Sequence, residues 1–166
     1  MAAASSFDVT STIDFQEVDN ALNQARKEVG QRYDFKGARA DIELNAAEKK
    51  LTLTADDEFK MNALWEIVQT RMVRRGVPVK NFKDTDSEPA AGGTVRRVID
   101  IQQGIPIEAA REIVKFIKEK KMKKVQASIQ ADQVRVSSPS KDELQEAMRQ
   151  LRENDFGIAL QFGNYR

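Results

Sequence analysis

Neither cysteine nor histidine occurs among the 166 residues. Disulfides are therefore excluded. So are zinc sites built on Cys or His, the usual haem and iron–sulfur ligands, and catalysis by a Ser-His-Asp triad, a Cys-His pair or any histidine base. An enzyme of this composition would work with carboxylates, Lys, Tyr or Ser alone. Long apolar runs are missing too: no stretch approaches the roughly 20 residues of a membrane helix. The opening MAAASS, Met1 to Ser6, has neither a basic n-region nor an apolar h-region, so it does not read as a secretory signal. These absences predict a cytoplasmic protein with no membrane role, no cofactor and no metal.

What is present is a globular composition, 40% hydrophobic and 32% charged. The length suits one medium domain or two small ones of about 80 residues each. Net charge is only +1, but it is unevenly spread. Residues 1–90 carry 13 Lys and Arg against 16 Asp and Glu, and residues 91–166 carry 14 against 10. Much of the surplus lies between Arg111 and Lys124, with seven basic residues and two acidic ones. Such a run is most simply a solvated helix end complementing the helix dipole; it is also the best segment for a polyanion.

The stretch from Asp84 to Gly93, DTDSEPAAGG, reads as a loop or linker between two halves that resemble each other. An offset of 83 residues aligns Leu51 with Val134, Leu53 with Val136, Asp57 with Ser140 and Met61 with Leu144. One strand–cap–helix pattern at one offset points to an internal duplication. In the first half, residues 6–11 alternate as a strand, and Asp14 with Glu17 has capping-box spacing. Val18, Leu22, Ala25 and Val29 share a helical face. Strands follow at Ala38–Leu44 and from Leu51, then a helix bearing Met61, Leu64, Val68 and Met72 and ending at Gly76. In the second half Val95, Arg97, Ile99 and Ile101 alternate, and Pro106 opens a helix. Two strands (Val125–Ala131 and from Val134), a helix capped by Ser140 with Glu143, and a terminal strand with Leu160 and Phe162 complete it. Each half is thus β-α-β-β-α-β, predicting an α+β protein of two tandem ferredoxin-like domains with antiparallel sheets.

Four segments carry a closer resemblance: SFDV at Ser6–Val9, RYDFKG at Arg32–Gly37, KKVQASIQADQVRV at Lys123–Val136, and the terminal QFGNYR. With these, the chain resembles the YajQ family of bacterial proteins from Ser6 to Arg166. The resemblance implies RNP-like domains that exchange their N-terminal strands. Residues 12–102 would form one domain, completed by strand 94–101. Residues 1–11 with 103–166 would form the other, with strand 6–11 inserted. It also implies nucleotide binding, with cyclic di-GMP as ligand, by a non-enzymatic effector that signals through a protein partner such as a transcription regulator.

The open sheet faces refine this expectation. RNA readers of this fold stack bases on aromatics in their central strands. Here the predicted outward residues are Asp41, Glu43, Thr52 and Thr54 on one face, and Gln126, Ser128, Gln130, Gln133, Arg135 and Ser137 on the other. With exchanged strands, Asp8 stands between Arg135 and the strand carrying Gln161. A carboxylate and a guanidinium together can read a guanine edge, so Asp8, Arg135 and Gln161 form one candidate nucleotide site; the alternatives are a plain cross-strand pair or a face covered by the other domain. RYDFKG is the second candidate, with Arg32 and Lys36 flanking Tyr33 and Phe35 for a phosphate clamp beside a stacking ring; the alternative buries both rings. The RxxxR spacing at Arg71 and Arg75 is expected by chance in a chain with 13 Arg. The competing function is single-stranded RNA or tRNA binding through Arg111–Lys124, and a ligand-free scaffold is a third.

Overall fold

The computed structural model describes residues 4–120, 122 and 124–166. Its elements run β1 (Ser5–Thr10), α1 (Phe15–Gln31), β2 (Ala40–Asn45), β3 (Lys50–Ala55), α2 (Glu58–Arg74), β4 (Phe82–Lys83), β5 (Glu88–Pro89), β6 (Val95–Ile101), α3 (Ile107–Glu119), β7 (Gln126–Gln130), β8 (Gln133–Ser138), α4 (Lys141–Glu153) and β9 (Gln161–Gly163). The strands form two antiparallel sheets, ordered β7-β8-β1-β9 and β2-β3-β6-β4, with β5 also against β6. The strand from the N-terminus is therefore central in the sheet of the last 64 residues, and β6 is central in the other.

The chain divides into a continuous unit, Ile13–Gln102, and a split unit, Met1–Thr12 with Gln103–Arg166. Each has its own core. In the continuous unit, Val18, Leu22 and Ala25 of α1 and Met61, Leu64, Val68 and Met72 of α2 pack on Leu51, Leu53 and Ile99. In the split unit, Phe7 and Val9 meet Ile113, Ile117, Val134, Val136, Leu144 and Leu151. These are the positions that 3.6- and 2-residue periodicities select.

The helix starts follow their caps. Asp14 accepts from the backbone N–H of Gln16 and Glu17, Asp57 from that of Lys60, and Ser140 from that of Glu143. The capping boxes are not reciprocal, however. The Glu17 carboxylate turns to Arg75, the residue that caps the C-terminal end of α2, at 2.7 Å, and the Ser140 N–H donates to Ser138 Oγ. Arg71 pairs with Glu28 at 2.8 Å, so both arginines of the RxxxR spacing tie α2 to α1. Pro106 takes the N-cap position, one residue before the helix.

The Asp84–Gly93 stretch is more ordered than a linker. It contributes β5, and it is held by Arg97, which lies on the core side of β6 and is buried. The Arg97 guanidinium reaches Glu58 at 2.7 Å, Asp84 at 3.2 Å, Asn62 at 3.2 Å and Ser87 at 3.3 Å. A buried cation is tolerable there because carboxylates and polar groups satisfy it.

At the start of the split unit's second segment, the Gly104 N–H donates to the Ser11 carbonyl at 2.6 Å, and Ile105 to the Asp132 carbonyl at 2.9 Å. Gly104 has φ +85°, and a Cβ there would sit 2.6 Å from Asp132 Oδ2 and 2.9 Å from Asp132 Cβ. Gly104→Ala is expected to cost about 1–3 kcal/mol, through the left-handed backbone and the clash together. In an Asp132→Gly background only the backbone share, about 1 kcal/mol, should remain. Urea unfolding of the four proteins of this cycle measures the difference; equal costs in both backgrounds would remove the clash from the account.

Candidate functional site

Asp8 occupies the centre of the split unit's open face because its neighbours Phe7 and Val9 point into the core. The register sets it opposite Arg135 on β8 and Gly163 on β9. The pairing with Arg135 is closed: Nε donates to Asp8 Oδ1 at 2.9 Å. Gly163 has no side chain to fill the other side, and Asn164, at φ 52°, reaches back to donate to Asp8 Oδ2 at 2.6 Å. The Asp8 side chain is only 6% exposed, while that of Arg135 is 34% exposed. Arg135, then Asn164, hold the Asp8 carboxyl below its ordinary value, and Asp8 in turn raises Arg135. Asp8 is therefore a fixed anion with both oxygens engaged, and Arg135 is the group that presents charge outward.

Gln161 shares a hollow of about 320 Å³ with Asp8, Thr10, Gln133, Phe162, Gly163 and Asn164. Its amide is occupied by the chain itself. Oε1 accepts from the Thr12 N–H at 3.0 Å and from Thr12 Oγ1 at 2.5 Å, and Nε2 donates to the Thr12 carbonyl at 3.0 Å. The side chain thus continues the ladder where β1 ends.

Arg32 and Lys36 belong to the continuous unit. After α1 the chain makes a single 3-10 turn, Tyr33–Phe35. Successive residues of such a turn diverge by about 120°, so positions two apart face different ways. Phe35 is buried in the core and Tyr33 is 88% exposed. The Arg32 guanidinium grips Asp34 at 2.9 and 2.7 Å and lies 5.6 Å from the Phe35 ring centre. Asp34 is the leading cause of a raised Arg32. Lys60 sits over the same ring at 5.3 Å, with its ammonium on the Asp34 carbonyl. Lys36 is exposed, and no partner appears for its ammonium among the described residues. Together Val29, Arg32, Tyr33, Phe35, Lys36 and Gly37 line most of a hollow of about 450 Å³. This arrangement can stack a planar ring on Tyr33 and meet an anion with Lys36 and the flank of Arg32.

The two candidate sets are thus one per unit: Asp8, Arg135 and Gln161 in the split unit, and Arg32 and Lys36 in the continuous unit. Reading strands by alternation finds Asp8 and Arg135 but misses Asn164, whose only signal is the glycine before it. Of the basic run Arg111–Lys124, Lys121 and Lys123 lie outside the described residues. Among the described residues, no cluster of acidic side chains fits a metal ion, and no helix is long and apolar enough to cross a membrane.

Because Asp8 is depressed in the folded state, it contributes stability above its unfolded pKa of about 3.9, lost as pH falls through the folded value. Asp8→Asn should lower Tm by a few degrees at pH 7, and should flatten the loss of Tm between about pH 5 and pH 3. A pH series of thermal melts of both proteins checks this; parallel curves would mean that Asp8 carries no linkage.

Comparison with known proteins agrees with this architecture. The family model described as "Nucleotide-binding protein YajQ-like" matches residues 5–166. A nucleotide-binding protein of Carboxydothermus hydrogenoformans is 46% identical over 166 residues, spanning 100% of both chains. One of Chloroherpeton thalassium is 45% identical over the same length and coverage. A third, of Koribacter versatilis, is 49% identical over 164 residues, 99% of this chain and 98% of the relative. With exchanged central strands in two ferredoxin-like units and this match over nearly its whole length, the chain belongs to the YajQ-like family.

Proposed function

We propose that this chain is a non-enzymatic nucleotide-binding effector whose ligand is cyclic di-GMP and whose bound state is passed to a protein partner. The observation that carries the reading is Tyr33, an aromatic ring 88% exposed between Arg32 and Lys36 at the rim of a hollow. An exposed ring beside cations offers stacking to a base and charge to a phosphate. The names of the relatives support the same ligand class. In this reading Tyr33 stacks a guanine, and Lys36 with Arg32 meets the phosphate. The split unit offers a separate candidate, in which Arg135, oriented by Asp8, is the contact and Gln161 helps to line the hollow beside it. Asp8 is not a general base here: its carboxyl is held low and both oxygens are bonded.

Calorimetric titration with cyclic di-GMP, with GTP and a short single-stranded RNA as comparators, tests the ligand. Saturable binding that persists at high salt is expected for compact nucleotide recognition, whereas RNA binding would fall steeply with salt. Tyr33→Ala should weaken binding roughly 5- to 100-fold, the worth of one stacked base, and Lys36→Ala by a smaller factor. Arg135→Ala separates the two units' contributions. Unchanged affinity in Tyr33→Ala and Lys36→Ala, with a large loss in Arg135→Ala, would move the site to the split unit. No heat with any nucleotide would overturn the reading.

A further inference from the structure

In the split unit's sheet, β7 is an outer strand with β8 on its one paired side. Sheets protect such edges with charge, proline, bulges or brevity, because an open edge recruits other strands. The continuous unit's edges comply: β2 carries Asp41 and Glu43, and β4 has two residues. The far edge of the split unit, β9, has three. β7 does not comply. Gln126–Gln130 is uncharged and proline-free, and it pairs with β8 in unbroken register from Gln126↔Ser137 to Gln130↔Gln133. The two-residue turn makes Gln130–Gln133 the hydrogen-bonded closing pair. Ala127 and Ile129 therefore turn their N–H and C=O groups outward, and no described residue pairs with them there.

The surface beside this edge has a definite character. Ile129 lies on the core side of the sheet, level with buried Val134, yet it is 36% exposed. Beneath runs α3, which buries Ala110, Ile113 and Ile117. One flank of α3 carries Phe116, which meets Phe156, just past the end of α4, with ring centres 5.6 Å apart. By the helical period the opposite flank, toward β7, carries Val114, Arg111 and Lys118. The acids Glu108, Glu112 and Glu119 fall away from that flank, and Lys115 pairs with Glu119 at 3.8 Å. Apolar contact and two exposed cations, for which no ion pair appears among the described residues, thus adjoin an open strand edge.

We propose that the β7 edge is a docking site for an extended acidic segment of a protein partner, added as a further strand. Its main chain would pair with Ala127 and Ile129. On the face toward α3, a central apolar side chain would rest on Ile129 and Val114, and carboxylates two residues to either side of it would meet Arg111 and Lys118. A second copy of this chain fits less well, since pairing β7 with β7 brings the two Arg111 and Lys118 sets together. The proposal stands apart from the nucleotide reading, because none of these residues belongs to either hollow.

The test uses the full chain and a labelled synthetic peptide whose alternate positions run aspartate, valine, aspartate, with threonine between them so that all three share one face, followed by fluorescence anisotropy and amide hydrogen exchange. Saturable binding is expected, with slowed exchange at Ala127 and Ile129 and none at β2. Arg111→Glu combined with Lys118→Glu should weaken binding at least about tenfold, and Ala127→Pro should abolish it. Should Ala127→Pro fail to fold, the charge-reversed variant decides, since its changes lie on an exposed helix flank. The proposal is overturned if the same peptide with lysine in place of aspartate binds equally well, or if exchange at Ala127 and Ile129 does not change. It is overturned also if the charge reversal abolishes binding of a single-stranded RNA while the peptide never binds.

Discussion

Strand β8 can pair both of its backbone edges only if β1 lies beside it. β7 satisfies one edge; the other faces Ser5–Val9, with Ser5 opposite Ser138. β3 stands in the same position toward β6. Buried backbone groups must find partners, so neither sheet is complete without a strand from a remote part of the sequence. Closing so long a loop adds little entropy beyond that of a shorter one. In return, β1 delivers the fully buried Phe7 and Val9 to the middle of the split unit's core. The Asp8–Arg135 contact follows from the same register: a slip by one residue would turn Asp8 inward and Phe7 out.

Charge in this molecule is sorted by what each cation is bound to. Arg71 and Arg75 are consumed between α1 and α2, Arg97 inside the continuous unit, and Arg149 along α4 with Glu146 and Glu153. These pairs are part of the scaffold. Lys36 and the outer groups of Arg135 are presented to solvent beside hollows, and Arg111 and Lys118 beside an open strand. A near-neutral total charge therefore conceals local groups of cations, and such groups attract anions.

Much of the fold was legible in the sequence, because periodicity and caps report local physics. The alternation at Leu51 and Leu53, the helical spacing of Val18, Leu22 and Ala25, and the caps at Asp14, Asp57 and Ser140 all appear where the pattern puts them. The exchange of strands was legible only through resemblance, since no local signal distinguishes a strand that pairs near from one that pairs far. The site was half legible. Asp8 and Arg135 meet as alternation and topology require. Tyr33 and Phe35 part company because a 3-10 turn, not a strand, carries them. The engagement of the Gln161 amide with Thr12, and of Asn164 with Asp8, depends on where two loops end, which no periodicity encodes. Arg97 looked like one more alternating position; the carboxylates that make it tolerable come from Glu58 and Asp84, on other elements.

The interrupted course of the split unit also bears on how the chain is made. Synthesis proceeds from the N-terminus, and domains tend to fold as they emerge. The continuous unit has all of its strands once residue 101 has left the ribosome. By then β1 has long since emerged, and its Phe7 and Val9 have no sheet to enter until β8 follows. Throughout that interval the nascent chain displays an unpaired apolar strand ahead of an already complete neighbour. The polar residues that punctuate β1, Ser5, Ser6, Asp8 and Thr10, leave that waiting strand apolar on one face only, the pattern that lowers the hazard of an exposed strand.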